Sequence, residues 1–153
     1  MTSLFSLRSD AVLTVRAETK QEILEQLAAR FAKTYRLEAG DVLERLEERE
    51  KLGSTGFGRG VAIPHARVAG LKRPVAALLR LEEPVDFAAA DAMPVDLVFG
   101  LLSPQNAGVS HLHALAAISR IVRDERMHEA FSEAPDEETL YALLTNVTDR
   151  DAA

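Results

Sequence analysis

The sequence predicts a single α/β (α+β) domain, and three observations carry the prediction. Pro74–Leu81 (PVAALLRL) and Val95–Leu102 (VDLVFGLL) are apolar on both faces for most of their length, as interior strands of a sheet covered on both sides are. Segments of helical periodicity lie before and after them, so helices and strands interleave. The chain has 153 residues, 47% apolar and 27% charged, which is ordinary globular composition and enough for one real core. No internal repeat, low-complexity segment or Pro/Ser linker divides it.

The elements follow in order. Ala11–Arg16 (AVLTVR) is a short β-prone piece. Thr19 and Glu22 have the spacing of a capping box, and Ile23, Leu24, Leu27, Phe31 and Tyr35 recur at helical spacing, so a helix is expected to about Tyr35. A second helix starts near Glu38, with Val42, Leu43 and Leu46 on its apolar side, and Gly53 stops it. Val61-Ala62-Ile63 reads as a short strand. Between the two long apolar strands, Glu82–Pro94 reads as a turn or irregular hairpin, and Ser103-Pro104-Gln105-Asn106 ends the second strand. Helices are expected at about Ser110–Arg123, at Arg126–Ser132 and from Asp136 onward, the last with an acidic first turn that suits the positive end of its dipole.

Composition excludes several functions. A net charge of −6 argues against a general binder of nucleic acid or anionic membranes. The absence of cysteine removes disulfides, thiol nucleophiles and Cys-based zinc sites. The N-terminus, with Arg8, Asp10 and Arg16, lacks the long apolar stretch of a signal peptide. No apolar run approaches the roughly 20 residues of a membrane span. A cytoplasmic protein without membrane insertion is expected.

The chemistry concentrates at Gly53–Arg67 (GSTGFGRGVAIPHAR), where four glycines fall within eight residues ahead of Pro64-His65. It is neither a P-loop, which needs Gly-Lys-Ser/Thr, nor a dinucleotide fingerprint, whose glycine spacing and following helix are missing. Two readings fit it. Glycine lets backbone N–H groups approach an anion, and Ser54, Thr55, Arg49, Arg59 and Arg67 add donors and charge; alternatively it is a plain surface loop. Pro64 stiffens the chain where His65 is presented. On the helix after Ser110, His111 and His113 point roughly 200° apart at 3.6 residues per turn, so they do not share a metal. His111 falls on the apolar face with Leu115, Ile118 and Val122, and His113 falls with Ala117 and Arg120 toward solvent. His111 is then either an anion donor near the positive end of the helix or a core histidine. His128 reads as a surface residue.

Arg49-Glu50-Lys51-Leu52-Gly53-Ser54-Thr55-Gly56, through Val61-Ala62-Ile63-Pro64-His65, resembles the signature of the IIA components of the bacterial phosphoenolpyruvate phosphotransferase system, fructose/mannitol type, most like the nitrogen-regulatory IIA proteins. Pro84-Val85-Asp86-Phe87, Met93–Phe99, Ser110–Leu115 and Leu140–Leu144 are similar to its later sections. The resemblance runs from about Leu4 to Thr145, and implies one domain over 1–153, a core of about 4–146 with a short C-terminal tail, and a mixed β-sheet flanked by helices. It implies that His65 accepts a phosphoryl group on Nε2 from a histidine phosphocarrier protein (HPr or a nitrogen-branch relative). The other ring nitrogen should be held as N–H by a backbone carbonyl. His111 and Arg49 would stabilise the charge, and Ser54, Thr55, Gly56 and Arg67 would bind phosphate. No metal or other cofactor is implied. The phosphorylation state would then signal to a regulatory target, or, in a sugar-transport IIA, the group would pass to a IIB domain. A non-catalytic binding module is the third possibility. The sequence departs from the family pattern at Ala66, usually Gly, at Phe57, usually a small aliphatic, and at Arg59, often Asn.

Overall fold

The computed structural model describes residues 4–152, the last five as backbone only. A mixed six-stranded sheet carries helices on both faces. Its strands are β1 (Ser6–Val15), β2 (Gly56–Gly58), β3 (Val61–Ala62), β4 (His65–Val68), β5 (Val75–Val85) and β6 (Val95–Pro104). The helices are α1 (Lys20–Tyr35), α2 (Ala39–Lys51), α3 (Val109–Arg123), α4 (Glu125–Glu133) and α5 (Glu137–Ala152). Since α5 continues to Ala152, the residues expected as a C-terminal tail are helical through that position.

The strand order is β1-β5-β6-β3-β2, with β4 also on β6. β5 and β6, the two apolar runs, pair antiparallel at the centre. Alternation distributes their side chains to two cores. Ala77, Leu79, Val98 and Leu102 pack under α1 and α2, while Ala76, Leu78, Leu97, Phe99 and Leu101 pack under α3, α4 and α5. α1 begins at Thr19, whose hydroxyl accepts from the Glu22 N–H, while the Glu22 carboxylate accepts from the Glu18 N–H. Its buried face, Ile23, Leu24, Leu27 and Phe31, lies against the sheet where Gly100 leaves room: a Cβ at Gly100 would stand 2.9 Å from both Leu27 and Phe31.

Three segments differ from the sequence reading. β1 starts at Ser6 rather than Ala11. Arg8–Ala11 face a single residue, Ala77, across a bulge, and the exposed Arg8, Ser9 and Asp10 hide the strand's alternation. β5 extends to Val85, which pairs with Val95 after an irregularity; the rest of the 86–94 connection is a loop that turns Phe87 into the core. β2 and β4 lie in the glycine-rich region and have no apolar run to announce them.

β3 and β4 position the candidate site. They run parallel to β6 in one unbroken register, Val61 and Ala62 opposite Leu97 and Val98, His65 opposite Leu101. The gap between them is Ile63-Pro64. Pro64 has no N–H to give a ladder, though its carbonyl still accepts from Leu101 N–H at 3.0 Å. Along a strand, one residue's N–H and C=O face the same side. Pro64 faces β6, so Ile63 faces away from it: Ile63 N–H donates to the Thr55 carbonyl at 2.9 Å, and its carbonyl finds its partner in a side chain.

Candidate active site

That side chain is His65. Its Nδ1 lies 2.7 Å from the Ile63 carbonyl, and its Nε2 lies 3.3 Å from Arg49 Nε. A guanidinium only donates and a carbonyl only accepts. The two contacts therefore fix the neutral tautomer: Nδ1 carries the proton, and Nε2 presents a lone pair. Arg49 is held in turn by Nη1 on the Gly53 carbonyl, 2.9 Å away. It sits in the last turn of α2, at the helix end where a cation is favoured.

The expectation that His111 turns inward is met: the residue is 4% exposed and its Nδ1 lies 2.6 Å from the Ser103 hydroxyl. The His65 and His111 ring centroids are 5.7 Å apart. Burial pushes the His65 pKa below its ordinary value, the Arg49 and Arg67 charges add to this, and the Ile63 hydrogen bond and Glu50 oppose it. Burial, then Arg67 and His65, lower His111 to about 4. Both rings are neutral near pH 7.

They open into a cleft of about 690 Å³ whose charged lining includes Arg45, Glu48, Arg49, Lys51 and Arg67. Leu52 and Leu112, 84% and 59% exposed, form an apolar rim. A patch of this basicity stands out on a chain of net charge −6. Arg67 reaches the cleft from β4, its Nε bonded to the Ala107 carbonyl at 2.9 Å. Arg45 was not among the residues singled out from sequence, although it lies one helical turn before Arg49 on the same helix face. Ser103 and the Ile63 carbonyl were also missed: a strand-end serine and a backbone oxygen carry no sequence signal of their own.

The Ser54 and Thr55 hydroxyls of the glycine loop are bonded within the protein. Ser54 Oγ donates to the Phe87 carbonyl at 2.8 Å and accepts from Gly56 N–H at 3.0 Å. Both the Thr55 hydroxyl and its N–H donate to Glu50. Glu50, whose side chain is 6% exposed, also pairs with Lys20 at 2.8 Å. Arg59 N–H is taken by Asp91 at 2.8 Å. Neither Ser54, Thr55 nor Gly56 lines the cleft. Gly56 is required by packing: a Cβ there would meet Ala89 Cα at 2.6 Å. The loop holds Thr55 in place, and the Thr55 carbonyl holds Ile63.

His113 is exposed, but Ala117, grouped with it toward solvent, is buried. Helix α3 buries a wider arc than the face of His111, Leu115, Ile118 and Val122 read from sequence, since Ala114 and Ile121 are buried as well. His128 is half-buried rather than a free surface residue, with Nε2 2.8 Å from Asp96 Oδ1; that hydrogen bond raises its pKa. Ala66 lies in β4 opposite Leu102 and outside the positive-φ residues, so its Cβ imposes no backbone strain. Arg59 adopts φ 57° and sends its guanidinium to Glu125 and the Arg123 carbonyl, away from the cleft. Phe57 stands on β2, also outside the cleft.

Residues 6–147 match the family described as phosphoenolpyruvate-dependent sugar phosphotransferase system, EIIA 2. The chain belongs to this family. It is 41% identical over 138 residues to the nitrogen regulatory protein of Pseudomonas aeruginosa, covering 90% of each chain. It is 40% identical over 136 residues to that of Bradyrhizobium diazoefficiens, covering 88% of this chain and 89% of the relative. The crystal structure of nitrogen regulatory protein IIA-Ntr from Neisseria meningitidis superposes with a TM-score of 0.84 at 37% identity, over 90% of this chain and 95% of that one. Among the described residues of this EIIA-family chain, no helix is long and apolar enough to cross a membrane.

Two predictions follow from the geometry. Gly56→Ala should lower unfolding stability by about 1–3 kcal/mol, the usual cost of overpacking; a urea midpoint equal to wild type would mean that the Ala89 loop yields freely. In an NMR titration of the histidine rings, His128 should titrate above the ordinary value of 6.5 and His111 near 4. A depressed histidine binds its proton more readily in the unfolded chain. The His111 contribution to stability is therefore present above pH 6.5 and is lost as pH falls toward 4. A His111 midpoint at or above 6.5 would contradict the burial described.

Proposed function

We propose that this EIIA-family protein is a cytoplasmic phosphocarrier of the nitrogen-regulatory type. His65 accepts a phosphoryl group from a histidine phosphocarrier protein, HPr or its nitrogen-branch relative, and the phosphorylation state governs engagement of a regulatory target. The observation that carries this reading is the His65 ring itself, with Nδ1 tied to the Ile63 carbonyl and the Nε2 lone pair in a basic cleft. The names and 40–41% identity of the nitrogen regulatory relatives support the regulatory branch.

Neutral imidazole is a good nucleophile near pH 7. The Nε2 lone pair attacks the phosphorus of the donor's phosphohistidine in line. A new N–P bond forms at His65 as the donor's N–P bond breaks; that electron pair returns to the donor ring, which is protonated on its other nitrogen and leaves as neutral imidazole, while the His65 ring takes up the positive charge. No proton leaves His65, whose Nδ1–H stays on the Ile63 carbonyl. Similar bonds are exchanged, so the step is near balanced and reversible. Phosphoryl transfer needs positioning and charge stabilisation more than covalent help. Arg49, already on Nε2, turns its guanidinium to the phosphoryl oxygens; Arg67 and His111 supply further positive charge and a donor. The phosphoryl group brings roughly −1.5 to −2 charge, which offsets at least half of the net positive charge of the cleft lining for any partner that reads it.

The test is intact-mass spectrometry at alkaline pH after incubation with phosphoenolpyruvate, the first enzyme of the system and a histidine phosphocarrier. Wild-type protein should gain one acid-labile phosphoryl group and His65→Ala none. His111→Ala should still be labelled, roughly a hundredfold more slowly, as when one preorganised donor to a developing charge is removed. Equal labelling of His65→Ala would reject the assignment. Onward transfer from the phosphorylated protein to a sugar-specific IIB domain would place it in transport instead of regulation.

A further inference from the structure

Among the described residues, His111 has no carbonyl or arginine to set its tautomer as His65 has; it has Ser103. This serine lies on β6 opposite Arg67 of β4, is fully buried at 0% exposure, and has its Oγ 2.6 Å from His111 Nδ1. That nitrogen is the hydroxyl's partner among the described residues. A buried O–H left without an acceptor costs about 1–3 kcal/mol, and buried hydroxyls are nearly always paired. We infer that Ser103 is a positioning residue that donates to His111 Nδ1, fixes the ring as the Nε2–H tautomer, and so turns an N–H into the cleft toward the group carried by His65.

A neutral imidazole has one donor and one acceptor nitrogen. If Nδ1 accepts from Ser103, Nε2 carries the proton. Among the described residues Nε2 has no protein partner, and it is not one of the sealed, unsatisfied atoms; His111 forms part of the cleft wall. Its N–H is thus available to a ligand. The opposite tautomer would leave the Ser103 hydrogen stranded in the core and aim a lone pair at phosphoryl oxygens, which would repel them. The cleft therefore holds the two histidines in complementary roles: Nε2 of His65 accepts, and Nε2 of His111, on a ring 5.7 Å away between centroids, donates. The inference rests on the reading of His65 as phosphoryl acceptor.

The experiment is long-range ¹H–¹⁵N correlation on protein labelled with ¹⁵N-histidine at pH 7, with phosphoryl uptake timed on the same samples. Wild-type His111 should show a protonated Nε2 and an accepting Nδ1. Ser103→Ala should shift the ring to a tautomer mixture and slow uptake roughly tenfold, the scale of one hydrogen bond, with His65 still the acceptor. Ser103→Thr, which keeps the hydroxyl, should restore the tautomer. A wild-type His111 protonated at Nδ1 overturns the inference whatever the variants do, and so does an unchanged tautomer in Ser103→Ala. Absence of uptake by wild-type protein would instead reject the phosphocarrier reading, with the tautomer still deciding the role of Ser103.

Discussion

The site depends on a single break in a ladder. Residues 61–68 run beside β6 in constant register, and at Pro64 the missing N–H interrupts the pairing without shifting it. Because the register survives, Ile63 turns its carbonyl away from β6 and toward the ring of His65, two residues on. The rest of the region is arranged around that residue. Thr55 receives its N–H, Glu50 holds Thr55, and Lys20 at the start of α1 holds Glu50. One chain of hydrogen bonds thus links the first helix to the tautomer of a histidine.

Electrostatics and burial act together in the cleft. Burial depresses both imidazoles, and positive neighbours depress them further. The result is a pocket rich in cations that nevertheless keeps its two histidines neutral, one as acceptor and one as donor. An anion entering it would meet Arg49 and Arg67 without displacing a buried carboxylate. The nearby buried carboxylate, Glu50, is already committed to Lys20 and Thr55. His128 shows the contrast: paired with Asp96 of β6 beside Gly60, it is pushed toward the charged form.

Much of this was legible in the sequence, for physical reasons that differ by element. The two central strands announced themselves because both faces are buried, and α1 through its Thr19 cap and periodic Ile23, Leu27 and Phe31. The phase of α3 placed His111 inward correctly, since a helix has only one way to turn from Leu115 and Ile118. Where the glycine loop spends its donors was not legible. Glycine-rich composition signals close backbone approach, but it does not say to what: at Gly56 the approaching group is Ala89, and the hydroxyls of Ser54 and Thr55 are spent on Phe87 and Glu50. β2 and β4 were hidden because pairing with a neighbour, rather than side-chain pattern, makes them strands. Ile63 sets the His65 tautomer through its carbonyl, a group every residue has. Arg59 departs from the family pattern at a left-handed position that asparagine adopts more readily, and its guanidinium leaves the site altogether.

The central claim is that His65 presents an unprotonated Nε2 because the Ile63 carbonyl retains its proton on Nδ1. The most direct measurement is the protonation pattern of the His65 ring nitrogens, read by ¹⁵N NMR on the unphosphorylated protein above pH 7. The account predicts a protonated Nδ1 and a lone pair on Nε2. A ring protonated at Nε2 would put the lone pair against the carbonyl, make Nε2 unable to attack, and contradict the account.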